Sequence, residues 1–173
     1  EGINVNITLL FALSQHAQVM RAYIDPLEDR VSSGRPVNRV ASVASFFVSR
    51  LDTLVGGLTD EHATEHRGSE TTNLPSDGRG GTVAIANAHL AYAQFRDGFD
   101  GERFNRLQAR GARVQRPLWA STSTKNPAYR DVIYCEELIG PDTVNTMPME
   151  TVDAYRDHGK PAARITEDLI GAQ

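Results

Sequence analysis

Apolar and polar residues alternate from Ile3 to Phe11, the period of a half-buried strand. Ile3, Val5, Ile7, Leu9 and Phe11 fall on one face; Asn4, Asn6 and Thr8 fall on the other. Ser14 is an N-cap candidate for a helix over 15–31, with Val19, Ala22, Tyr23 and Leu27 on its apolar side and a kink at Pro26. A loop, Ser32 to Pro36, leads to a second, buried strand over 40–48. Arg50 and Asp52 follow it in a short helix. Residues 59–82 are polar, rich in Gly, Ser, Thr and His, and read as a variable polar loop. Ile85, Ala88, Tyr92 and Phe95 give helical spacing over 83–99, and a second helix follows over about 101–110. Residues 113–120 read as a third strand, running into Ser121-Thr122-Ser123-Thr124-Lys125-Asn126-Pro127. A helix over about 128–139, a turn at Gly140-Pro141 and a fourth strand over 142–147 complete the pattern. Pro148 then opens a helix over 149–158.

Strands alternating with helices predict an α/β fold with parallel pairing through right-handed crossovers. An open doubly wound sheet and a closed barrel both satisfy this order. The turn after the first strand reads Phe11-Ala12-Leu13-Ser14 and lacks the glycine fingerprint of the doubly wound sheet. Four strand–helix units are half of a (β/α)8 barrel. At 173 residues the chain is short of the roughly 250 that a complete barrel takes.

That length suits one domain, here a single partial one over 1–173. A formal net charge of −4 argues against nucleic acid or an anionic membrane as partner. The 18 cations comprise 16 Arg and only 2 Lys, Lys125 and Lys160, so lysine chemistry within the chain has two candidates. One cysteine, Cys135, excludes an internal disulfide and suits a cytoplasmic setting. No apolar run has membrane-spanning length, and no signal peptide opens the sequence. The chain starts without Met and stops at Gln173 where a further helix could begin, so both ends read as cut.

Polar residues gather at the carboxyl ends of the strands, where barrel chemistry sits. Asn6 and Thr8 can hydrogen-bond sugar hydroxyls or hold a water, or be satisfied core polars. Ser45 and Phe47 share a face, and Arg50 beyond them suits phosphate or a surface ion pair. Ser121, Ser123 and Lys125 suit a phosphate cradle, a Schiff-base amine or a solvated loop. Three motifs are decoys. His62-Ala63-Thr64-Glu65-His66 has an inverted zinc-protease spacing without a nearby third ligand, so no metal is expected. The sequon Asn6-Ile7-Thr8 lies in a strand, and Cys135 is read as a packed thiol.

Four blocks carry a resemblance. Glu1 to Phe11 resembles the fifth barrel strand of the transaldolases, and Val43 to Asp52 the sixth. Gln115 to Pro127 is similar to the seventh strand of the longer bacterial branch. Thr143 to Pro148, with Asp157-His158-Gly159 beyond, resembles the eighth. The resemblance implies the carboxyl-side half of a (β/α)8 TIM barrel and an enzyme of the pentose phosphate pathway. Such an enzyme moves a dihydroxyacetone unit from sedoheptulose 7-phosphate to glyceraldehyde 3-phosphate, yielding erythrose 4-phosphate and fructose 6-phosphate. It needs no cofactor: a lysine amine forms an imine with the ketone, and carboxylates with a held water move protons.

By position, the resemblance gives Asn6 the donor hydroxyls, Thr8 the catalytic water, Ser45 the donor and Phe47 the pocket wall. Arg50 and Ser121 would grip phosphate, with Lys125 as a further cation in a longer loop. It also implies that the nucleophilic lysine lies on the fourth strand and the acid–base carboxylates on the first and third, none of them in this sequence. The chain alone is therefore expected to be inactive, and to self-associate or be poorly stable. Its expected partners are sugar phosphates, the missing amino-terminal half of the barrel and, as a further possibility, copies of itself. The alternatives are a fructose-6-phosphate aldolase-like enzyme, a fusion with a sugar-phosphate isomerase, and a non-catalytic sugar-phosphate-binding half-barrel.

Overall fold

A computed structural model of the chain describes residues 2–55 and 82–166. The elements run β1 (Val5–Leu10), α1 (Leu13–Ser32), β2 (Ser42–Phe47), α2 (49–55), α3 (Thr82–Phe99), α4 (Glu102–Gln108), β3 (Gln115–Ala120), α5 (Ile133–Glu137), β4 (Val144–Asn145) and α6 (Met149–His158). All pairings are parallel, and the four strands lie in the order β1-β2-β3-β4. A doubly wound sheet reverses its order at a switch point, whereas a barrel winds in one direction. The sequential order is that of half a barrel.

One side of the sheet carries the core. Ala44, Phe46 and Trp119 are essentially inaccessible, and Leu10 is buried beside them. The Phe46 ring meets His16 of α1 and Trp119 of β3 edge-on, at centroid distances of 5.8 and 6.3 Å. Trp119 Nε1 donates to the Leu138 carbonyl at 2.9 Å, so the large apolar ring also satisfies its one polar group. Helix α1 buries His16, Met20, Ile24 and Leu27, one stripe at intervals of four, four and three. Helix α3 contributes Ala84, Ala88, Ala91, Tyr92, Phe95 and Phe99, whose small residues allow close approach. Arg103 on α4 forks onto Asp25 and Glu28 of α1, an exposed contact that adds little stability.

Several elements differ from the sequence pattern. In β1 the pairing jumps from Ile7↔Ala44 to Leu10↔Phe46, so Thr8 and Leu9 together oppose Ser45. Leu9 adopts φ 63° at this bulge and is 55% exposed, while Leu10 takes the buried position expected for Leu9. Helix α1 starts at Leu13 with Ala12 as its N-cap, not at Ser14, and runs unbroken through Pro26. Its stripe leaves Ala22 exposed and takes in His16, Met20 and Ile24 instead. The helix expected over 128–139 shrinks to Ile133–Glu137. Asn126 Oδ1 accepts from the Ala128 amide, and Thr124 Oγ1 donates to the Arg130 carbonyl, which holds 126–132 in turns. Strand β4 is only two residues long, and Pro148 caps α6 rather than opening it. The loop expected over 59–82, with His62 and His66, lies outside the described residues apart from Thr82, the first residue of α3. No helix among the described residues is long and apolar enough to cross a membrane.

Truncating Trp119 to Ala should destabilise the fold by about 3–5 kcal/mol, measured by chemical unfolding. His16 is buried, and burial pulls its pKa below the ordinary histidine value despite a bond to Gln94. The unfolded chain therefore binds the proton first on acidification. The His16 contribution to stability should fall as pH drops below about 6.5, and His16→Leu should flatten that part of the unfolding profile. An unchanged profile in the variant would assign acid sensitivity to other groups.

Candidate functional site

Parallel pairing sends every strand's carboxyl end to one rim. On β1 and β2 the residues between the core positions meet on the opposite side of the sheet. There Ser45 Oγ donates to Asn6 Oδ1 at 2.6 Å. Ser45 is buried, whereas Asn6 is exposed and keeps its amide N–H groups for another partner. Thr8 is exposed at the bulge, one residue before the strained Leu9.

Phe47 ends β2. Its ring lies 5.4 Å from Phe11, and the Arg50 guanidinium sits 5.2 Å from its centroid. Arg50 thus has a fixed aromatic surface beneath it and an exposed charge above. Pairing of β2 with β3 continues into the loops: the Val48 amide donates to the Ala120 carbonyl, and the Ser49 amide to Ser121. The Ser49 and Ser121 hydroxyls are also bonded to each other, at 2.9 Å. Ser121 has φ 56°, a left-handed conformation that a residue other than glycine holds at some cost in strain. Two residues on, Ser123 Oγ accepts from Lys125 Nζ at 2.9 Å, and Lys125 is exposed. Between them the buried Thr122 donates to Asn145 Oδ1 at 2.7 Å, tying the loop to β4.

The sequence-derived residues therefore form local pairs, Asn6 and Ser45 within the strands and the others at or beyond the carboxyl ends of β2 and β3. Asn6 is joined to Ser45, Phe47 to Arg50, and Ser123 to Lys125. Ser121 is linked through Ser49 to the helix that carries Arg50. Ser49 and Phe11 were not singled out by sequence reasoning. Their positions at the ends of β2 and β1 are the available signal. Asp52, in the short helix after β2, has a larger part than its sequence position suggests. Its Oδ1 accepts from the Ala84 amide at 2.9 Å and its Oδ2 from the Tyr134 hydroxyl at 2.6 Å, joining α2, α3 and α5. Burial, and then the bond to Asp52, push the Tyr134 phenol well above its ordinary pKa, so it remains a donor. Cys135 is buried, and burial raises its thiol pKa, an environment that suppresses the thiolate. Among the described residues no three His, Cys, Asp or Glu side chains gather to hold a metal.

Tyr134→Phe should cost about 1.5–3 kcal/mol of stability, the range for a hydrogen bond to a charged group. Thermal unfolding of the variant checks this; an unchanged midpoint would mean that Asp52 holds α2 without the phenol.

A family model described as Transaldolase/Fructose-6-phosphate aldolase matches residues 1–172. A Transaldolase of Trichodesmium erythraeum is 50% identical over 158 residues, covering 91% of this chain and 41% of that protein. A Transaldolase of Mycobacterium leprae is 49% identical over 160 residues, with 92% and 40% covered. A Transaldolase 2 of Nostoc sp. is 47% identical over 174 residues, with 99% and 45% covered. The chain thus spans less than half the length of these curated relatives.

Proposed function

Because this chain belongs to the transaldolase/fructose-6-phosphate aldolase family, we propose that it forms the carboxyl-side half of a transaldolase barrel, with the phosphate- and hydroxyl-binding side of the active site. The observation that carries this reading is the set of polar groups on one side of the sheet and at its carboxyl rim. Asn6 and Ser45 lie within β1 and β2 on the side of the sheet away from the helices, and Arg50, Ser121 and Lys125 follow the carboxyl ends of β2 and β3. A sugar phosphate needs donors to its hydroxyls at one end and fixed positive charge at the other.

In this reading Asn6 binds donor hydroxyls and fixes Ser45 through their bond. Thr8 holds the catalytic water at the bulge, and Phe47 walls the pocket. Arg50 presents its guanidinium from the Phe47 ring to the phosphate, with Ser121 and Lys125 beside it. The full-length enzyme transfers dihydroxyacetone from sedoheptulose 7-phosphate to glyceraldehyde 3-phosphate through a lysine imine in the pentose phosphate pathway of the cytoplasm. Lys125 serves as a phosphate cation. It is exposed and bonded to Ser123, whereas a nucleophilic amine is activated by desolvation or a neighbouring cation. The imine-forming lysine then belongs to a strand outside this sequence.

The exposed apolar residues Val5 and Leu9 of β1, an edge strand of the sheet, and Ile3 just before it support a further partner there. The isolated chain should self-associate and show no dihydroxyacetone transfer; a soluble monomer with full turnover would contradict this. In the full-length protein, Arg50→Ala should raise KM for fructose 6-phosphate roughly 10- to 100-fold, the loss of a charge-assisted phosphate contact. An unchanged KM would remove Arg50 from the site. Release of free dihydroxyacetone without an acceptor would select the aldolase activity instead.

A further inference from the structure

The dipeptide Arg130-Asp131 is gripped from two sides. From the rim, Thr124 Oγ1 donates to the Arg130 carbonyl at 2.9 Å and reaches the Asp131 carbonyl at 3.2 Å. Thr124 directly precedes Lys125. From the end of α6, His158 Nε2 lies 2.8 Å from Asp131 Oδ1, and its Nδ1 lies 3.1 Å from Asp157 Oδ2. Beside it, Glu136 Oε1 accepts from both Arg130 Nη2 and the Lys160 amide, each at 2.8 Å. Glu136 is only 5% exposed and Arg130 about half exposed, so this further grip on the same dipeptide is a half-buried one.

The His158 geometry has a protonation requirement. A neutral imidazole has a single N–H, and a carboxylate is acceptor-only. Two carboxylates on the two ring nitrogens are both satisfied only by the imidazolium. His158 is also the last residue of α6, where the helix dipole favours a cation. The charged groups around it are Asp131 on the β3–α5 loop, Asp157 on its own helix, and Arg130 behind Asp131. The bonds to Asp131 and Asp157 raise its pKa above the ordinary histidine value. The next residue is Gly159, where a Cβ would stand 2.5 Å from the Tyr155 carbonyl oxygen and 2.6 Å from its ring. Only glycine lets the chain turn there, with His158 reaching Asp131 and the Lys160 amide reaching Glu136.

We propose that His158 is a positioning residue for phosphate binding: bridged to Asp131, its imidazolium holds the β3–α5 loop in the form that presents Ser121, Ser123 and Lys125. This rests on the reading of that rim as a sugar-phosphate site. The sign of the pH dependence follows from the bridge. Below its folded pKa His158 is charged and the loop is held. As pH rises through that value the ring loses a proton, Asp131 and Asp157 compete for the one remaining N–H, and the hold on the loop weakens.

The test uses the full-length protein, with fructose 6-phosphate as ligand, across pH 6 to 9. In the wild type, KM should rise roughly 3- to 10-fold as His158 deprotonates, with kcat changing less. The Lys125 amide resonance should shift with the same midpoint as the His158 ring. His158→Gln should show the high KM at every pH and a Lys125 amide that no longer titrates. His158→Lys, which keeps a cation against Asp131, should recover the low KM without the histidine midpoint, and Asp131→Asn should behave as His158→Gln does. His158→Gln with a wild-type KM profile would overturn the proposal while leaving the site reading intact. A wild type that binds no fructose 6-phosphate at any pH would overturn both.

Discussion

Strand register is the constraint on which the remaining structure depends. Side chains alternate along a strand, so a slip of one residue exchanges the two faces of the sheet. In β2 the observed register puts Ala44 and Phe46 under the helices, and Ser45 and Phe47 on the other side. A one-residue slip would put Ser45 and Phe47 under the helices and turn Ala44 and Phe46 to the other side. The Phe46 ring, held edge-on between His16 and Trp119, opposes such a slip. The same register leads the chain beyond β2 and β3 into the Ser49–Ser121 contact. Packing on one face therefore determines which polar groups face the other.

The polar groups on this side of the sheet and at its rim differ in kind. Toward β1, neutral amide and hydroxyl groups lie at Asn6 and Ser45. Toward α2 and the β3–α5 loop, positive charge lies at Arg50 and Lys125. Each cation is restrained, Arg50 by the Phe47 ring and Lys125 by Ser123. A ligand with hydroxyls at one end and an anion at the other matches that polarity, and less side-chain freedom remains to be lost on binding. The restraint extends outward. Asp52 ties α2 to α3 and α5, and His158 ties the β3–α5 loop to α6.

Much of the strand–helix order was legible because alternation and helical spacing are strong over β1, β2, α3 and β3. The half-barrel followed from four units in a chain of this length. What was not legible depended on contacts distant in sequence. Nothing local to Thr8-Leu9 signals the bulge, which is a matter of pairing with Ser45. The local pattern over 128–132 favours a helix, yet hydrogen bonds from Thr124 and within Asn126–Ala128 hold that stretch in turns. His16 lacks an apolar signature but is buried through its contacts with Phe46 and Gln94. The candidate residues were visible as types on and just beyond the strands; their joining through Ser49, Phe11 and Asp52 was not.

The central claim is that this sequence holds the phosphate side of the site and not the imine-forming amine. The most direct measurement is to treat the full-length protein with fructose 6-phosphate and borohydride, then map the reduced sugar adduct by mass spectrometry. The expected result is one adduct on a lysine outside these 173 residues, with Lys125 and Lys160 unmodified. A stoichiometric adduct on Lys125 would contradict it, and would make the exposed loop after β3 the seat of the covalent chemistry.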